Sequence, residues 1–398
     1  MNRQEYKIFS NGKLGCLTLK NRLVRSATCD YQANEDGSIT PQILDIYRKL
    51  AMGGIGMIIT GLLATTADSI GTKGQASIYN DEGVLELSKL ASAVHKSGCD
   101  CRIIAQLCHP GRQITQEHTL SECVGPSALA SPLLVKKARE LSEEEIYSII
   151  SNFAKAIVRV KQAGFDGVQL HAAHGYLLSS FLSSYTNQRT DSYGGNVKNR
   201  VSIIRDIIHL ARKTVGDFPI LIKLNCDDHV PGGIDKESFP ELAFEVARSG
   251  VDAIEVSGAI WDCLVRSEAE LGFSPVPLPE ARTHIDEPEK QSYYYDYVKE
   301  LSLPIPIILV GGNRNIEHME ALLKEGHIDY LSLSRPLICE PDLPHRWLLG
   351  NGGVQSSCVS CNACILFKDD FSCALRRHHL NRTEFEIGFA NGWRATFK

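Results

Sequence analysis

Gly167-Val-Gln-Leu-His-Ala-Ala-His-Gly-Tyr176 is the stretch on which the reading of this chain turns. Its first five residues, Gly167–His171, form a short apolar run without clean alternation of inside and outside positions. A strand covered on both faces reads this way. Before it lies a helical period, Glu143–Gln162, stopped by Gly164. Working outward, the same unit recurs. Strand-like runs fall at Arg22–Thr28, Gly56–Leu63, Arg102–Cys108, Ile220–Cys226, Ala253–Ser257, Ile305–Val310 and Tyr330–Ser334. Helical periods such as Glu86–Lys96, Arg200–Lys213 and Ile316–Glu325 lie between them. Ser142 and Glu145 have capping-box spacing. Gly54, Gly98, Gly216, Gly250 and Gly326 sit, like Gly164, where a helix should stop. Strand then helix, eight times, predicts an α/β fold: a closed (β/α)8 TIM barrel over residues 1–350. A short cysteine-rich extension, 351–398, follows it. A doubly wound sheet is the competitor, and eight units in roughly 330 residues favour the barrel.

Charge and composition narrow the function. Forty-two basic against 47 acidic residues give a net charge of −5, so nothing argues for nucleic acid or an anionic membrane as partner. The longest apolar run, Gly54–Ala64, is 11 residues and too short to span a bilayer. Met1–Ser10 has no apolar stretch behind a basic end, so a cytoplasmic protein without a secretory signal is expected.

In a barrel, chemistry belongs at the carboxyl ends of the strands. The longest connections leave those ends, at 109–141, 172–197 and 258–290. The last contains Pro275, Pro277, Pro279 and Pro288 and reads as a surface lid. His171 and His174, three apart, can point the same way on one helical turn and donate hydrogen bonds to a developing oxyanion. Tyr176 can supply a proton. A lone histidine is more often a core partner, but His-x-x-His-x-Tyr at a barrel strand end favours function. Gly311-Gly312-Asn313 and Ser334-Arg335-Pro336 end the seventh and eighth runs, where barrels commonly hold a phosphate. Lys223 inside an apolar run needs a buried partner or a path to solvent. Gln106 and Cys108 pose the same question.

These residues resemble the old yellow enzyme family of flavin oxidoreductases, over about 1–350. The likeness is carried by Leu19-Lys-Asn-Arg-Leu-Val-Arg-Ser-Ala-Thr28, Gln106-Leu-Cys-His-Pro-Gly-Arg112, His171-Ala-Ala-His-Gly-Tyr-Leu177 and Asn187-Gln-Arg-Thr-Asp-Ser-Tyr-Gly-Gly195. The Gly-Gly and Ser-Arg turns add to it. The resemblance implies one FMN at the barrel mouth. Ser26, Ala27, Thr28 and Cys29 would line it, Gly61 would lie against the ring, and Gln106 would bond the pyrimidine edge. Lys223 would stand near N1/O2, where a cation stabilises the reduced flavin. Gly312, Asn313, Ser334 and Arg335 would hold the phosphate, although many relatives have Gly at the position of Ser334. His171 and His174 would bind a substrate carbonyl oxygen, Tyr176 would donate a proton, and Tyr31 would contact substrate. The activity implied is NAD(P)H-dependent reduction of activated C=C bonds in enones, enals or related small molecules. Cys29 would tune the flavin potential, or simply pack.

Four of the 13 cysteines crowd one segment: Cys358, Cys361, Cys364 and Cys373. Four thiolates can hold a [4Fe–4S] cluster or zinc, or be an unoccupied remnant. The other nine, Cys339 included, are scattered. The spacing resembles the branch with trimethylamine dehydrogenase and 2,4-dienoyl-CoA reductase, with a shorter final interval. Members of that branch continue into nucleotide-binding domains. Here 25 residues follow Cys373 and no Gly-x-Gly-x-x-Gly follows a strand. Two rival functions therefore stand: a flavin/iron–sulfur dehydrogenase oxidising an amine or similar substrate with an electron-carrier protein, or a non-catalytic electron-transfer subunit. A homo-oligomer is expected, with the tail 374–398 either solvated or an oligomer contact.

Overall fold

The computed structural model describes residues 3–114, 122–133, 137–285, 287–366 and 371–384. Eight parallel strands close a barrel: β1 (Leu23–Arg25), β2 (Met57–Ala64), β3 (Arg102–Cys108), β4 (Gly167–Ala172), β5 (Ile220–Asn225), β6 (Ala253–Ser257), β7 (Ile307–Leu309) and β8 (Tyr330–Leu333). The ring shuts where Leu331 pairs with Leu23. The barrel predicted from the repeat is therefore the fold. Expected and observed bounds coincide for β3 and β6. β1 is shorter than its apolar run, because residues 26–28 leave the ladder for the barrel mouth.

The outer layer is α1 (Pro41–Met52), α2 (Asp81–His95), α3 (Glu143–Gln162), α4 (Ser202–Val215), α5 (Phe239–Arg248) and α6 (Ile316–Glu325), with short helices between. The capping box predicted for α3 is formed: Ser142 Oγ accepts from the Glu145 amide at 3.3 Å, and Glu145 Oε2 from the Ser142 amide at 2.8 Å. One face of α3 then buries Ile146, Ile149, Ile150, Phe153, Ile157 and Val160 against the strands. α2 begins before the expected Glu86 because Asn80 caps it, accepting from the Gly83 amide. The repeat breaks after β6. Among the described residues only 3-10 turns and the four-residue helix Glu268–Leu271 separate β6 from β7. The prolines of that connection cannot extend a hydrogen-bonded helix.

Inside the barrel, side chains change character along the strands. A hairpin that the sequence reading left unassigned (Gly12–Leu14 with Leu17–Leu19) closes the amino-terminal end. Its Leu14 and Leu19 pack on Val24, Met57, Ile59, Ile104, Leu221, Ala253, Ile308 and Tyr330. These are inward positions, so two residues further on the chain must face inward again. Those positions are Gln106, Lys223, Glu255 and Ser332, all buried. An apolar plug thus supports a polar floor. Residues past 350 are stitched to the barrel: Ile316 donates to Val354 O, Ser356 to Arg314 O, and Asn315 bridges Gln355. Most of the tail, 385–398, lies outside the described residues. Among the described residues no helix is long and apolar enough to cross a membrane.

Candidate active site

β4 ends with His171 pointing into the barrel mouth, two residues past the inward Gln169. The chain then turns through left-handed backbone at His174 (φ 61°) and Gly175 (φ 81°), and Tyr176 caps the helix Leu177–Leu182. The pair therefore does not share the helical turn that the spacing suggested; a strand end and a tight turn bring it together. The rings still converge, with centroids 5.1 Å apart for His171–His174 and 4.7 Å for His171–Tyr176. The turn is held from three sides. The His174 amide donates to Asn225 Oδ1 (3.1 Å), its carbonyl accepts from Gln113 Nε2 (3.1 Å), and its Nε2 bonds Ser257 Oγ (2.7 Å). A Cβ at Gly175 would meet Gln113 Nε2 at 2.4 Å, so glycine is required there. Burial drives both imidazoles well below the usual histidine pKa, and the nearby Lys223 adds to the effect. They are neutral hydrogen-bonding groups, not cations. Burial also keeps the Tyr176 phenol protonated.

Under them lies the floor. Gln106 Nε2 donates to Gln169 Oε1 (2.7 Å), and Gln169 Nε2 donates to Glu255 Oε2 (2.8 Å). Lys223 Nζ donates to Ser26 Oγ (2.9 Å) and stands 3.3 Å from Glu255 Oε2. The buried lysine thus has its partner. Gln169 and Glu255 were missed in the sequence, although polar residues inside apolar strands are the same signal that singled out Lys223.

At the far side, Gly311 (φ 117°) and Gly312 (φ 81°) form the turn after β7. Asn313 holds this turn with its side chain, donating to Leu309 O and Ser332 O and accepting from Ser292 Oγ. It can offer a phosphate its backbone amide alone. Ser334 Oγ bonds Thr28 Oγ1 at 2.9 Å. Arg335 Nη1 donates to Arg282 O (2.9 Å) and Asn362 Oδ1 (2.5 Å).

A cavity of about 330 Å³ gathers Ala27, Thr28, Cys29, Tyr31, Gln106, His171, His174, Tyr176, Lys223 and Ser334 in its wall. A second, of about 110 Å³, shares Ala27, Thr28, His174, Lys223 and Ser334 with it and adds Ser26, Gly312, Asn313 and Arg335. Gly61 is the exception among the expected residues. It lines a small neighbouring space with Cys29 and Tyr31, and its amide donates to Tyr47 Oη. The proline-rich connection is a wall more than a lid: Pro277, Leu278, Glu280 and Ala281 line the larger cavity. Arg282 pins it, stacking 3.8 Å from the Phe273 ring centroid and 4.3 Å from that of Tyr293. Glu280, also missed in the sequence, has a buried Oε2 without a hydrogen-bond partner, and burial pushes its carboxyl up to about 7. The donor set fits FMN. A paired cation and an amide lie under the larger cavity, and glycine turns with a buried arginine lie at the smaller.

Next to this mouth, Cys358, Cys361, Cys364 and Cys373 line one cavity of about 400 Å³. Cys339, scattered in the sequence reading, lines it too, and its thiol is hydrogen-bonded to Cys373. Burial pushes the Cys361 thiol up to about 11 and the Cys364 thiol to about 12. Among the described residues no group of three or more His, Cys, Asp or Glu side chains is arranged to hold a metal ion. Arg314 Nη1 donates to Cys358 O (2.8 Å), and the Arg25 guanidinium lies 5.8 Å from the Phe371 ring centroid. Cys364 and Phe371 also line the 330 Å³ cavity.

The model of the NADH:flavin oxidoreductase / NADH oxidase family matches residues 7–350. An NADH oxidase of Thermoanaerobacter brockii is 34% identical over 362 residues, 90% of this chain and 53% of its own length. An NADPH dehydrogenase of Bacillus cytotoxicus is 35% identical over 347 residues, 86% of this chain and 92% of its own. Among solved structures, a 2-naphthoyl-CoA reductase in complex with 2-naphthoyl-CoA superposes with a TM-score of 0.79 at 27% identity. That match covers 89% of this chain and 54% of the other. The chain thus spans about half the length of some of the relatives it matches.

Proposed function

Because the chain belongs to the NADH:flavin oxidoreductase / NADH oxidase family, we propose that it reduces activated C=C bonds of enones, enals or related small molecules at the expense of NAD(P)H. The observation that carries this reading is one cavity whose wall holds His171, His174 and Tyr176 together with Gln106 and Lys223. Bound FMN supplies a two-electron carrier that accepts hydride from one substrate and gives it to another. The chain's residues do the rest. Gln106 and Lys223 hold the ring edge; Gly312, Asn313 and Arg335 take the phosphate. The imidazoles of His171 and His174, neutral, donate to the carbonyl oxygen of the alkene substrate and draw charge onto it. Neutrality matters, since two cations beside Lys223 would oppose one another. Tyr176, kept protonated, gives its phenolic proton to the α-carbon. Tyr31 packs against the substrate from the β1 side.

Stopped-flow kinetics test this. Tyr176→Phe should slow reoxidation by an enone by about 10²–10⁴-fold, the usual worth of a positioned proton donor. Reduction by NAD(P)H should be unaffected. Equal loss in both half-reactions would overturn the proton-donor role, and a protein that takes up no FMN would overturn the whole reading.

A second reading is favoured by one observation: Cys364 lines both the central cavity and the cysteine cavity. Cys358, Cys361, Cys364 and Cys373, which line one cavity of about 400 Å³, would supply the four thiolates of a [4Fe–4S] cluster. With such a centre the chain would oxidise an amine or similar substrate and deliver electrons to a carrier protein. Anaerobic purification with iron analysis, followed by reaction with an enone and amine panel, separates the two readings.

A further inference from the structure

Glu255 sits at the middle of the barrel floor with no exposed surface. Every lone-pair direction of its carboxylate is occupied. Oε1 accepts from Ser26 Oγ (2.7 Å) and Ser332 Oγ (2.8 Å); Oε2 accepts from Gln169 Nε2 (2.8 Å) and lies 3.3 Å from Lys223 Nζ. A carboxylate has about four such sites, and these partners fill them. Gln169 passes the constraint on, since its Oε1 accepts from Gln106 Nε2 (2.7 Å). One carboxylate therefore stands behind both side chains, Gln106 and Lys223, that reach the cavity from the floor. Burial alone would raise its pKa, yet Lys223 and the three donors outweigh burial and hold it below the usual glutamate value. Its ionised form is the one this pocket is built around.

The strand register explains how it gets there. Glu255 pairs with Lys223 across β5 and β6, and Gln106 with Gln169 across β3 and β4. All four point inward by the two-residue period of the strands. A purely structural ion pair in a barrel core has no need to be continued by amides toward the ligand cavity. This one is continued.

We propose that Glu255 is a positioning residue for the flavin: it orients Gln106 through Gln169, and its negative charge offsets Lys223, holding down the reduction potential of bound FMN. The proposal rests on the reading of the cavity as a flavin site. The physical argument is a balance of fields. Reduction adds negative charge to the flavin, and Lys223 stabilises that charge. A carboxylate 3.3 Å from the ammonium cancels part of its field in a medium of low polarity, where such fields act strongly.

The test is anaerobic dye-equilibration of the FMN-loaded protein, which reads the flavin spectrum and not turnover. Glu255→Gln should move the ratio of reduced to oxidised FMN at a fixed potential at least tenfold toward reduced, about 30 mV for a two-electron couple. In a Lys223→Met background, where the buried Glu255 carboxyl has lost its cation and takes up a proton, the same substitution should move it less than twofold, which a general loss of packing would not reproduce. Glu255→Asp, which keeps the charge, should stay within threefold of wild type. Where Glu255→Gln does not fold, Ser332→Ala decides instead: removing one donor leaves the carboxylate less shielded and shifts the ratio two- to threefold toward oxidised. An unmoved or oppositely moved ratio in the variant read, or an equal shift without Lys223, overturns the role of Glu255 alone. Wild-type protein that binds no FMN overturns the flavin reading and this inference with it.

Discussion

The barrel floor and the cysteine cavity lie side by side and are built in opposite ways. On the floor each polar group is met by another: Gln106 by Gln169, Gln169 by Glu255, Lys223 by Glu255 and Ser26. Strand register fixes these contacts before any ligand arrives. In the cysteine cavity the thiols Cys361 and Cys364 are held protonated by burial, and the segment is fastened from outside by the barrel's own arginines, Arg314 and Arg335. One region is preorganised by regular structure. The other is an irregular segment whose Cys361 and Cys364 thiols would have to lose their protons to bind a metal. The lesson is that the extension does not hang from the barrel; it completes the rim of the same mouth.

The largest expected effect breaks the comparison on one side only. On the iron–sulfur reading, Cys361→Ser should abolish iron incorporation and any broad visible iron–sulfur absorption of an anaerobically prepared sample, and leave FMN content unchanged. Loss of both cofactors together would show that the cavity supports the barrel mouth as well as itself. Arg335→Ala attacks the seam. Its guanidinium reaches the smaller cavity, the Arg282 carbonyl and Asn362 between two of the cysteines. FMN affinity should fall about 10–100-fold, as for a lost charge-assisted contact of roughly 1.5–3 kcal/mol. Iron content should fall with it. Fluorescence titration and iron analysis on the same preparation check this, and an effect on FMN alone would separate the two regions.

How much of this was legible beforehand follows from the same contrast. The barrel was readable because a strand between two layers must be apolar, and helix ends must carry caps and glycines. Lys223 and Gln106 were readable as polar residues inside apolar runs. Gln169 and Glu255 carried the same signal, and stepping by two from Gly167 and Ala253 would have found them. The hairpin Gly12–Leu19 was not readable, since three-residue strands leave no period. The missing helix after β6 was written in its prolines, but the place of that connection as a cavity wall was not. It depends on Arg282 meeting Phe273 and Tyr293. Cys339 lies far from the other four cysteines in sequence, and only the turn after β8 brings it to Cys373.

A smaller effect sharpens the comparison through pH. Glu280 lies in the wall of both flavin-site cavities, and burial raises its carboxyl from the usual 4.5 to about 7. A raised carboxyl favours the folded state while it is protonated in both states, below about pH 4.5. That advantage is lost as pH rises toward 7, because the unfolded chain releases its proton first. Glu280→Gln should therefore remove about 1–3 kcal/mol of pH-dependent destabilisation between pH 4.5 and 7. Urea unfolding across that range checks it; parallel profiles for wild type and variant would show that Glu280 finds a partner or solvent.

The smallest effect concerns the fifth thiol. The free thiol of Cys339 is hydrogen-bonded to Cys373 and to Ser357 Oγ, and Arg376 donates to its carbonyl. Were Cys373 to hold an iron–sulfur centre, Cys339 as donor to its sulfur would not change how much iron is held, only how the centre is tuned, because hydrogen bonds to cluster sulfurs raise the reduction potential. Cys339→Ala should thus leave iron per chain unaltered and lower the potential of the iron centre, with FMN untouched. Were iron content to drop as far as in Cys361→Ser, Cys339 would be a ligand in its own right. The spacing of four cysteines in the sequence would then have pointed to the wrong set.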